Sequence, residues 1–227
     1  MSKLQSGFQS IGSRFDLKSS FLDTPQLDTV ILLFAQTSEQ QVRYKTFTGE
    51  QSPGLDQQEA DLLVQHTLFV AKCTGMPLVV LYPERQEGRN FGERLANAFQ
   101  EVYSMGYQRV ICIGADCLDL TTAELLLAQE ALSTGHMVVG PGTKGGAYLV
   151  GLHIDSFDPE ALTMLNWQTD ELLNELVLYG YRMQASLGSL KVLNEKAEAG
   201  SGPDLALQFN ILPVHRHLHR QLSAIMT

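Results

Sequence analysis

Short apolar runs alternate with amphipathic segments along the chain, and this alternation constrains the fold more than any other feature of the sequence. Runs rich in β-forming residues predict buried strands at Thr29–Ala35, Pro77–Tyr82, Arg109–Gly114, His136–Gly140 and Ala147–Leu152. Apolar residues at helical spacing predict helices at Gln58–Thr74, Phe91–Ser104 and Thr121–Thr134. This order predicts an α/β fold with an open, mainly parallel sheet and helices on both faces.

The length and composition fit one globular domain. The chain has 227 residues, 44% of them hydrophobic, which is enough for a sizeable single core. Residues 1–28 contain scattered apolar side chains without a sustained period and are interpreted as an N-terminal arm. Residues 29–227 are predicted to form a single domain that ends in a C-terminal helix.

Charge and targeting features exclude several functional classes. The net charge of −9 disfavours a nucleic-acid partner, since nucleic-acid-binding domains normally carry a basic surface. No apolar run approaches the roughly 20 residues that span a bilayer, and Met1–Gly12 lacks the apolar centre of a secretory signal. We therefore expect a cytoplasmic protein without a membrane partner, in which the three cysteines are structural thiols.

Ligands of such sheets bind outside the carboxyl ends of the strands, where the chain order reverses. The loops that follow the predicted strands are therefore the places to look for a site. They are Gln36–Gln57, Pro83–Asn90, Ala115–Leu120 and Pro141–Gly146.

The strongest local signal is GADCLDL, at Gly114–Leu120. Asp116 and Asp119 follow a buried strand and precede a helix, where a carboxylate can hold a hard divalent cation that neutralises a diphosphate. Both aspartates are candidate catalytic residues, with Asp116 as the metal ligand. The alternative is structural: Asp119 caps the helix and Asp116 binds backbone N–H groups of the turn.

A glycine-rich segment and three basic residues are candidates for substrate binding. GPGTKGGAYLVGL, at Gly140–Leu152, would let the backbone approach a ligand closely, or would simply turn the chain. Arg89 lies before a predicted helix N-terminus, which suits an anion, and Arg43 and Lys45 lie in the loop after the first strand. The alternative is that all three are solvated charges.

Two other features favour structural interpretations. One is the histidine group His215, His217 and His219, whose spacing could suggest a metal site. We interpret this group as a polar helix face. Trp167, the only tryptophan, is expected in the core rather than as a stacking platform.

Taken together, these segments resemble the DUF2064 family, also called radical-SAM/selenodomain-associated transferase 1. The family is placed among the glycosyltransferases of the GT-A, nucleotide-diphospho-sugar transferase superfamily. QEGRNFGERLANAF (Gln86–Phe99) matches the family's Q-x-x-G-x-x-L-G-E-R, and GADCLDL matches its G-S-D-C-P-D-L. GPGTKGGAYLVGL matches G-P-x-x-D-G-G-Y-Y-L-I-G-L, and the step Trp167–Thr169 matches W-[S/G]-T.

The resemblance implies a GT-A-like fold and an activated nucleoside-phosphate donor. Asp116 would face the metal, Mg²⁺ or Mn²⁺, and the diphosphate of a nucleoside diphosphate-sugar or nucleoside triphosphate. Gly145, Gly146 and Tyr148 would line the side of the sugar or of a small-molecule acceptor.

The sequence also departs from the family. Lys144 stands where the family has the aspartate of D-G-G, which removes a carboxylate and adds a cation that could bind substrate. The first loop reads SEQQVRYKTF instead of P-x-x-G-x-V-K-T-R-L, so Arg43 and Lys45 have exchanged residue types. The acidic pair near the family's C-terminus is reduced to Asn194-Glu195.

Three hypotheses follow from these patterns. The first is a transferase that moves a glycosyl or nucleotidyl group. The second is a catalytically degenerate, nucleotide-binding or regulatory member of the same superfamily, which Lys144 and the altered first loop favour. The third is a structural role in which the N-terminal arm packs across a homodimer.

Overall fold

A mixed sheet forms the centre of the protein. The computed structural model describes residues 28–35, 53–135, 137–187 and 190–198. Its strands are β1 (Thr29–Phe34), β2 (Leu78–Leu81), β3 (Arg109–Ile113), β4 (Met137–Pro141), β5 (Ala147–His153) and β6 (Leu190–Val192). They lie in the order β2-β1-β3-β5-β4-β6, and β5 alone runs antiparallel to its neighbours. The predicted mainly parallel sheet is confirmed, while β6 was not predicted from the sequence.

Five helices accompany the sheet in the described part of the chain. They are α1 (Pro53–Lys72), α2 (Phe91–Ser104), α3 (Thr122–Ser133), α4 (Pro159–Thr163) and α5 (Leu172–Leu187), with short 3-10 turns at Pro83–Arg85 and Ile154–Ser156. The sequence predicted neither α4 nor α5. None of the described helices combines the length and apolarity needed to cross a bilayer.

The first predicted helix boundary was wrong. The residues up to Gln57 were predicted as loop because of Pro53 and Gly54, but α1 begins at Pro53. Proline is well tolerated at the first helical position, because the N–H that it lacks has no partner within the helix there. A proline in a polar stretch can therefore begin a helix as well as mark a loop.

Side-chain caps fix the starts of two helices that border the site. Asn90 caps α2 and accepts a hydrogen bond from the backbone N–H of Glu93 at 2.8 Å. Thr121 and Glu124 form a reciprocal capping box at α3. The alternative in which Asp119 caps this helix is therefore wrong.

Both faces of the sheet are covered by helices. Ile31 and Leu33 of β1 join a buried cluster with residues of α1 and α3, whereas Val30 and Leu32 join another cluster with residues of α2 and α5. Successive side chains of a strand point to opposite faces. Each residue of β1 thus meets an apolar layer, which explains its continuous apolar sequence.

The topology brings four chain segments to one edge of the sheet. β1 lies between β2 and β3 and is parallel to both, so the chain order reverses beside β1. The carboxyl ends of β1, β3 and β4 share this edge with the start of the antiparallel strand β5. This edge is the expected position for a ligand crevice in an open α/β sheet.

Candidate active site

A cavity of about 390 Å³ opens at this edge. Its walls come from the ends of β1 and β3, the start of β5, the beginning of α2 and the segment that leads into α5. The charged lining residues are Asp116, Lys144, Asp170 and Glu198. Three carboxylates and one ammonium therefore share the cavity, an arrangement that favours a cation or a polar ligand.

Asp116 stands at the cavity wall directly after β3. Gly114 and Ala115 separate it from the end of β3, and a Cβ at Gly114 would lie 3.0 Å from Oδ1 of Asp116. The side chain is half-buried and lines the cavity. The structure thus places Asp116 at an open cleft instead of turning it into the interior.

Glu198 is a cavity carboxylate that the sequence analysis missed. Its carboxylate lies against two glycines: a Cβ at Gly146 would stand 3.3 Å from Oε2, and a Cβ at Gly142 would clash with the same oxygen. The remnant of the family's acidic pair was predicted at Asn194-Glu195, but both of these residues are exposed. Local sequence offers no signal for Glu198, because pairing of Gly142 with Lys196 brings it there.

Asp119 is not among the cavity residues. Lys196 Nζ lies 3.2 Å from its Oδ2 and donates to its backbone oxygen at 2.8 Å, and the Cys117 thiol donates to Oδ1 at 3.2 Å. Lys196 also contacts Glu124 Oε1 at 2.9 Å. Asp116 thus lines the cavity and Asp119 does not. The structure gives Asp119 the role of an anchor for Lys196.

The Lys196 ammonium is nearly inaccessible to water. Its side chain is 9% exposed. Burial acts to lower its pKa, but the hydrogen bond to Glu124 and the charges of Asp119 and Glu124 outweigh burial and leave the pKa of Lys196 raised. The ammonium is accordingly charged at neutral pH, and its two carboxylate partners balance it.

The glycine-rich loop between β4 and β5 packs tightly. Gly142 N–H donates to the Gly146 oxygen at 2.9 Å and Gly145 N–H donates to the Gly142 oxygen at 3.1 Å. Gly145 has φ +83° and no room for a side chain beside the Asp170 backbone. It does not line the cavity, whereas Lys144 and Gly146 do. The loop is therefore both a turn and part of the cavity wall.

Tyr148 lines the cavity as a wall residue. It is 2% exposed, and its hydroxyl donates to the backbone oxygen of Asn194 at 3.1 Å. Burial raises the pKa of Tyr148. The Tyr148 hydroxyl is therefore neutral, and its hydrogen bond to Asn194 holds the segment that carries Glu198.

Arg89 lies outside the cavity lining. Its side chain is 92% exposed and contacts Glu93 Oε1 at 2.9 Å. In the same segment, the Nε2 of Gln86 donates to the backbone oxygens of Ala35 and Leu81, both at 2.8 Å. Gln86 thus ties the carboxyl ends of β1 and β2 together.

Several predicted features lie outside the described residues: Arg43, Lys45, the N-terminal arm, the three C-terminal histidines and the predicted C-terminal helix. Their predicted roles therefore remain predictions. Within the described part of the chain, no three His, Cys, Asp or Glu side chains form a cluster that could by itself hold a metal.

Trp167 was predicted to lie in the core, and it lies partly in the core and partly at the cavity. It is half-buried and packs against the apolar cluster that contains Val30 and Leu32. Its ring centroid lies 5.5 Å from that of Phe91. Its Nε1 donates to the Leu162 oxygen at 2.8 Å. The indole also lines the cavity, so it is accessible to a ligand as well as part of the core.

A family model described as "Uncharacterized protein conserved in bacteria (DUF2064)" matches residues 79–169. This part of the chain is therefore similar to the DUF2064 family. This match confirms the resemblance predicted from the sequence. The matched region includes Asp116, Lys144 and Trp167, and it ends before Lys196 and Glu198.

Solved structures agree with this assignment at the level of the fold. The chain is similar to a crystal structure from Desulfovibrio desulfuricans G20, of a protein to which nucleotide-diphospho-sugar transferase activity is ascribed. The identity is 21% and the TM-score 0.77, over 88% of this chain and 96% of that chain. This similarity shows that the chain has the same α/β fold as that structure.

Two further structures are more distantly similar. One is a homologue of Mycobacterium tuberculosis Rv0371c from Mycobacterium sp. strain JC1, with 10% identity and a TM-score of 0.47 over 88% of this chain and 97% of that chain. The other is a glycosyltransferase involved in the glycosylation of the major capsid of PBCV-1, with 11% identity and a TM-score of 0.43 over 73% and 81%. No curated protein matches the sequence.

Proposed function

We propose that the protein is a transferase that uses an activated nucleoside-phosphate donor and binds it at the cavity beside Asp116. The observation that carries this proposal is the position of Asp116 directly after β3, on the wall of a cavity of about 390 Å³. The family match and the fold support the same class of reaction. The transferred group is a glycosyl or nucleotidyl group, and the acceptor is a small molecule.

The donor set fits a hard divalent cation such as Mg²⁺ or Mn²⁺. Mg²⁺ is usually held by one or two carboxylates together with substrate phosphates and water. Asp116 and Glu198 offer two such carboxylates, and the glycines beside them leave space that a Cβ would fill. A bound cation would offset negative charge on the leaving phosphate.

The remaining residues position the donor. Lys144 is exposed at the cavity, where its ammonium can attract a phosphate group. Gly146 lets the ligand approach the backbone. The Tyr148 hydroxyl and the backbone hydrogen bonds of Lys196 to Pro141 and Thr143 hold the segment of Glu198 against the glycine-rich loop.

The test is titration calorimetry of the full chain with Mn²⁺ and UDP, GDP, ADP, CDP or TDP. Wild type should bind at least one of these only when metal is present. Asp116→Asn should weaken that binding at least tenfold, because it removes a charged oxygen ligand. Asp61→Asn, at an exposed position of α1, serves as the matched control and should bind as wild type does.

Thermal unfolding of each variant would check that it is folded. Equal binding by wild type and Asp116→Asn would contradict the proposal, as would the lack of any nucleotide binding by wild type.

A second candidate function is nucleotide binding without transfer. The presence of Lys144 in the cavity favours it, since a fixed ammonium can replace part of the charge of a metal. In that case nucleotide would bind without Mn²⁺, and Lys144→Met rather than Asp116→Asn would abolish binding.

A further inference from the structure

The lining of the candidate cavity is charged at its exposed end and apolar at its buried end. Lys144, Thr169 and Asp170 of the lining are exposed, and Asp116 and Glu198 are half-buried. The buried lining residues are apolar: Leu95, Cys112, Val150 and Leu172 are 2%, 7%, 5% and 4% exposed. Charged groups thus surround the mouth, and hydrocarbon surrounds the inner end.

The side chains of the inner end offer few hydrogen-bonding groups to a ligand. The indole N–H of Trp167 donates to the Leu162 oxygen at 2.8 Å. Burial raises the pKa of the Cys112 thiol, which keeps it neutral. A hydroxyl or amide of a ligand that entered this end would lose water without gaining a side-chain partner, and that exchange is unfavourable.

Aromatic rings form one wall of the cavity. The ring centroids of Phe34 and Phe91 are 5.5 Å apart in an edge-to-face arrangement, and those of Phe91 and Trp167 are 5.5 Å apart in a tilted one. All three residues line the cavity. Such a wall suits a compact ring or a short hydrocarbon chain, whose burial is favourable in proportion to its apolar area.

We propose that the acceptor is an amphipathic alcohol, with a compact apolar or aromatic body that enters the inner end. This inference rests on the proposed transferase function and names the substrate class for the same site. The hydroxyl of the acceptor stays at the charged mouth, near Asp116 and Glu198. A polyol or an unmodified sugar does not match the inner end.

The group transfer balances with this acceptor. The acceptor oxygen forms a bond to the transferred group, while the bond from that group to the nucleoside-phosphate donor breaks. The leaving phosphate takes the electron pair of that bond, and the hydroxyl proton passes to a carboxylate at the mouth.

Trp167 provides a direct test, because it is the only tryptophan of the chain and it lines the cavity. The full chain is titrated with cyclohexanol and, separately, with myo-inositol, which has the same six-carbon ring with six hydroxyls. Cyclohexanol should change the Trp167 emission saturably, and myo-inositol at equal concentration should leave it unchanged.

A cavity-filling variant locates the binding. Leu95→Phe should weaken cyclohexanol binding at least tenfold, whereas Leu127→Phe should not, since Leu127 is 42% exposed on α3 and lies outside the cavity. A second measurement needs no variant. In methyl-labelled wild type, cyclohexanol should shift the NMR signals of Leu95, Val150 and Leu172.

The outcomes separate this inference from the proposed function. Equal binding of myo-inositol, or the lack of any cyclohexanol effect on Trp167 and on these methyl groups, would overturn the inference even if nucleotide binds. If cyclohexanol binds in the cavity and no nucleotide binds, the proposed transferase function is contradicted. The inference that the cavity takes an amphipathic alcohol would still be supported.

Discussion

The ammonium of Lys196 lies 2.9 Å from Oε1 of Glu124, which belongs to the capping box of α3. The same ammonium contacts Asp119, in the turn that follows Asp116. Lys196 therefore links the segment that carries Glu198 to the turn that carries Asp116. One buried cation connects the two carboxylate-bearing walls of the cavity.

Lys196→Met should destabilise the protein strongly. Removing the ammonium leaves Asp119 and Glu124 without their cation, and breaking a buried ion pair costs about 3 kcal/mol or more. Chemical denaturation at neutral pH would measure the loss. Lys191→Met, at an exposed lysine of β6, is the control and should stay close to wild type. Equal stability of both variants would contradict the anchoring role.

Gly145→Ala should be far more damaging than Gly75→Ala. Both glycines have positive φ, +83° and +73°, but a Cβ at Gly145 would clash with the Asp170 backbone, while nothing lies within 4 Å at Gly75. The left-handed conformation costs each alanine about 1–2 kcal/mol. The clash should add about 2 kcal/mol at Gly145.

Urea unfolding of the two glycine variants would measure the difference. Gly145→Ala should also weaken ligand binding at the cavity, because Lys144 and Gly146 flank it. Similar unfolding free energies for the two variants would show that the loop can move away from Asp170 without cost.

Tyr179→Phe should change how stability depends on alkaline pH. The Tyr179 hydroxyl donates to the Ser156 oxygen at 2.8 Å and accepts from the Asp158 N–H at 2.9 Å. Burial raises the pKa of Tyr179 to about 12. Between about pH 10 and 12 the unfolded chain ionises this tyrosine while the folded protein keeps it neutral, so stability falls as pH rises.

The variant should lose about 1 kcal/mol at neutral pH, the net value of a typical hydrogen bond. Above pH 10 its stability should fall less steeply than that of wild type. Denaturation curves at a series of pH values would measure both effects. Parallel curves for the two proteins would contradict the raised pKa.

Arg89→Ala should leave nucleotide binding and stability nearly unchanged. The guanidinium is exposed and paired with Glu93 outside the cavity, and exposed ion pairs contribute little. Gln86→Ala is the informative comparison, because it removes two hydrogen bonds to the strand ends. Calorimetry with Mn²⁺ and the panel of nucleoside diphosphates would compare them. A tenfold loss of affinity in Arg89→Ala would instead restore its predicted role as a substrate ligand.

Much of the fold could be predicted because its strands are buried on both faces. In β1 every residue from Val30 to Leu33 is inaccessible to water, so the sequence there is continuously apolar and readily recognised. The helix start at Pro53 was missed because the same residue types occur in loops and in first helical turns. The strand β6 was missed because its three residues include exposed Lys191 and Val192.

The site could be predicted only where its residues follow a strand. Asp116 comes directly after β3, so the general rule for open sheets placed it correctly beside a cavity. The rule could not distinguish Asp116 from Asp119, since their environments differ through Lys196, which is distant in sequence. Glu198 was missed for the same reason, because its position depends on pairing between Gly142 and Lys196.

The sequence by itself determined the α/β class, the mainly parallel sheet and the edge at which Asp116 stands. These features depend on periodicity and on neighbours along the chain, which a sequence records directly. Only the tertiary structure decided which carboxylates face the cavity, which one Lys196 neutralises, and that the inner end is apolar. These outcomes depend on contacts between segments far apart in the chain, and such contacts leave no local pattern.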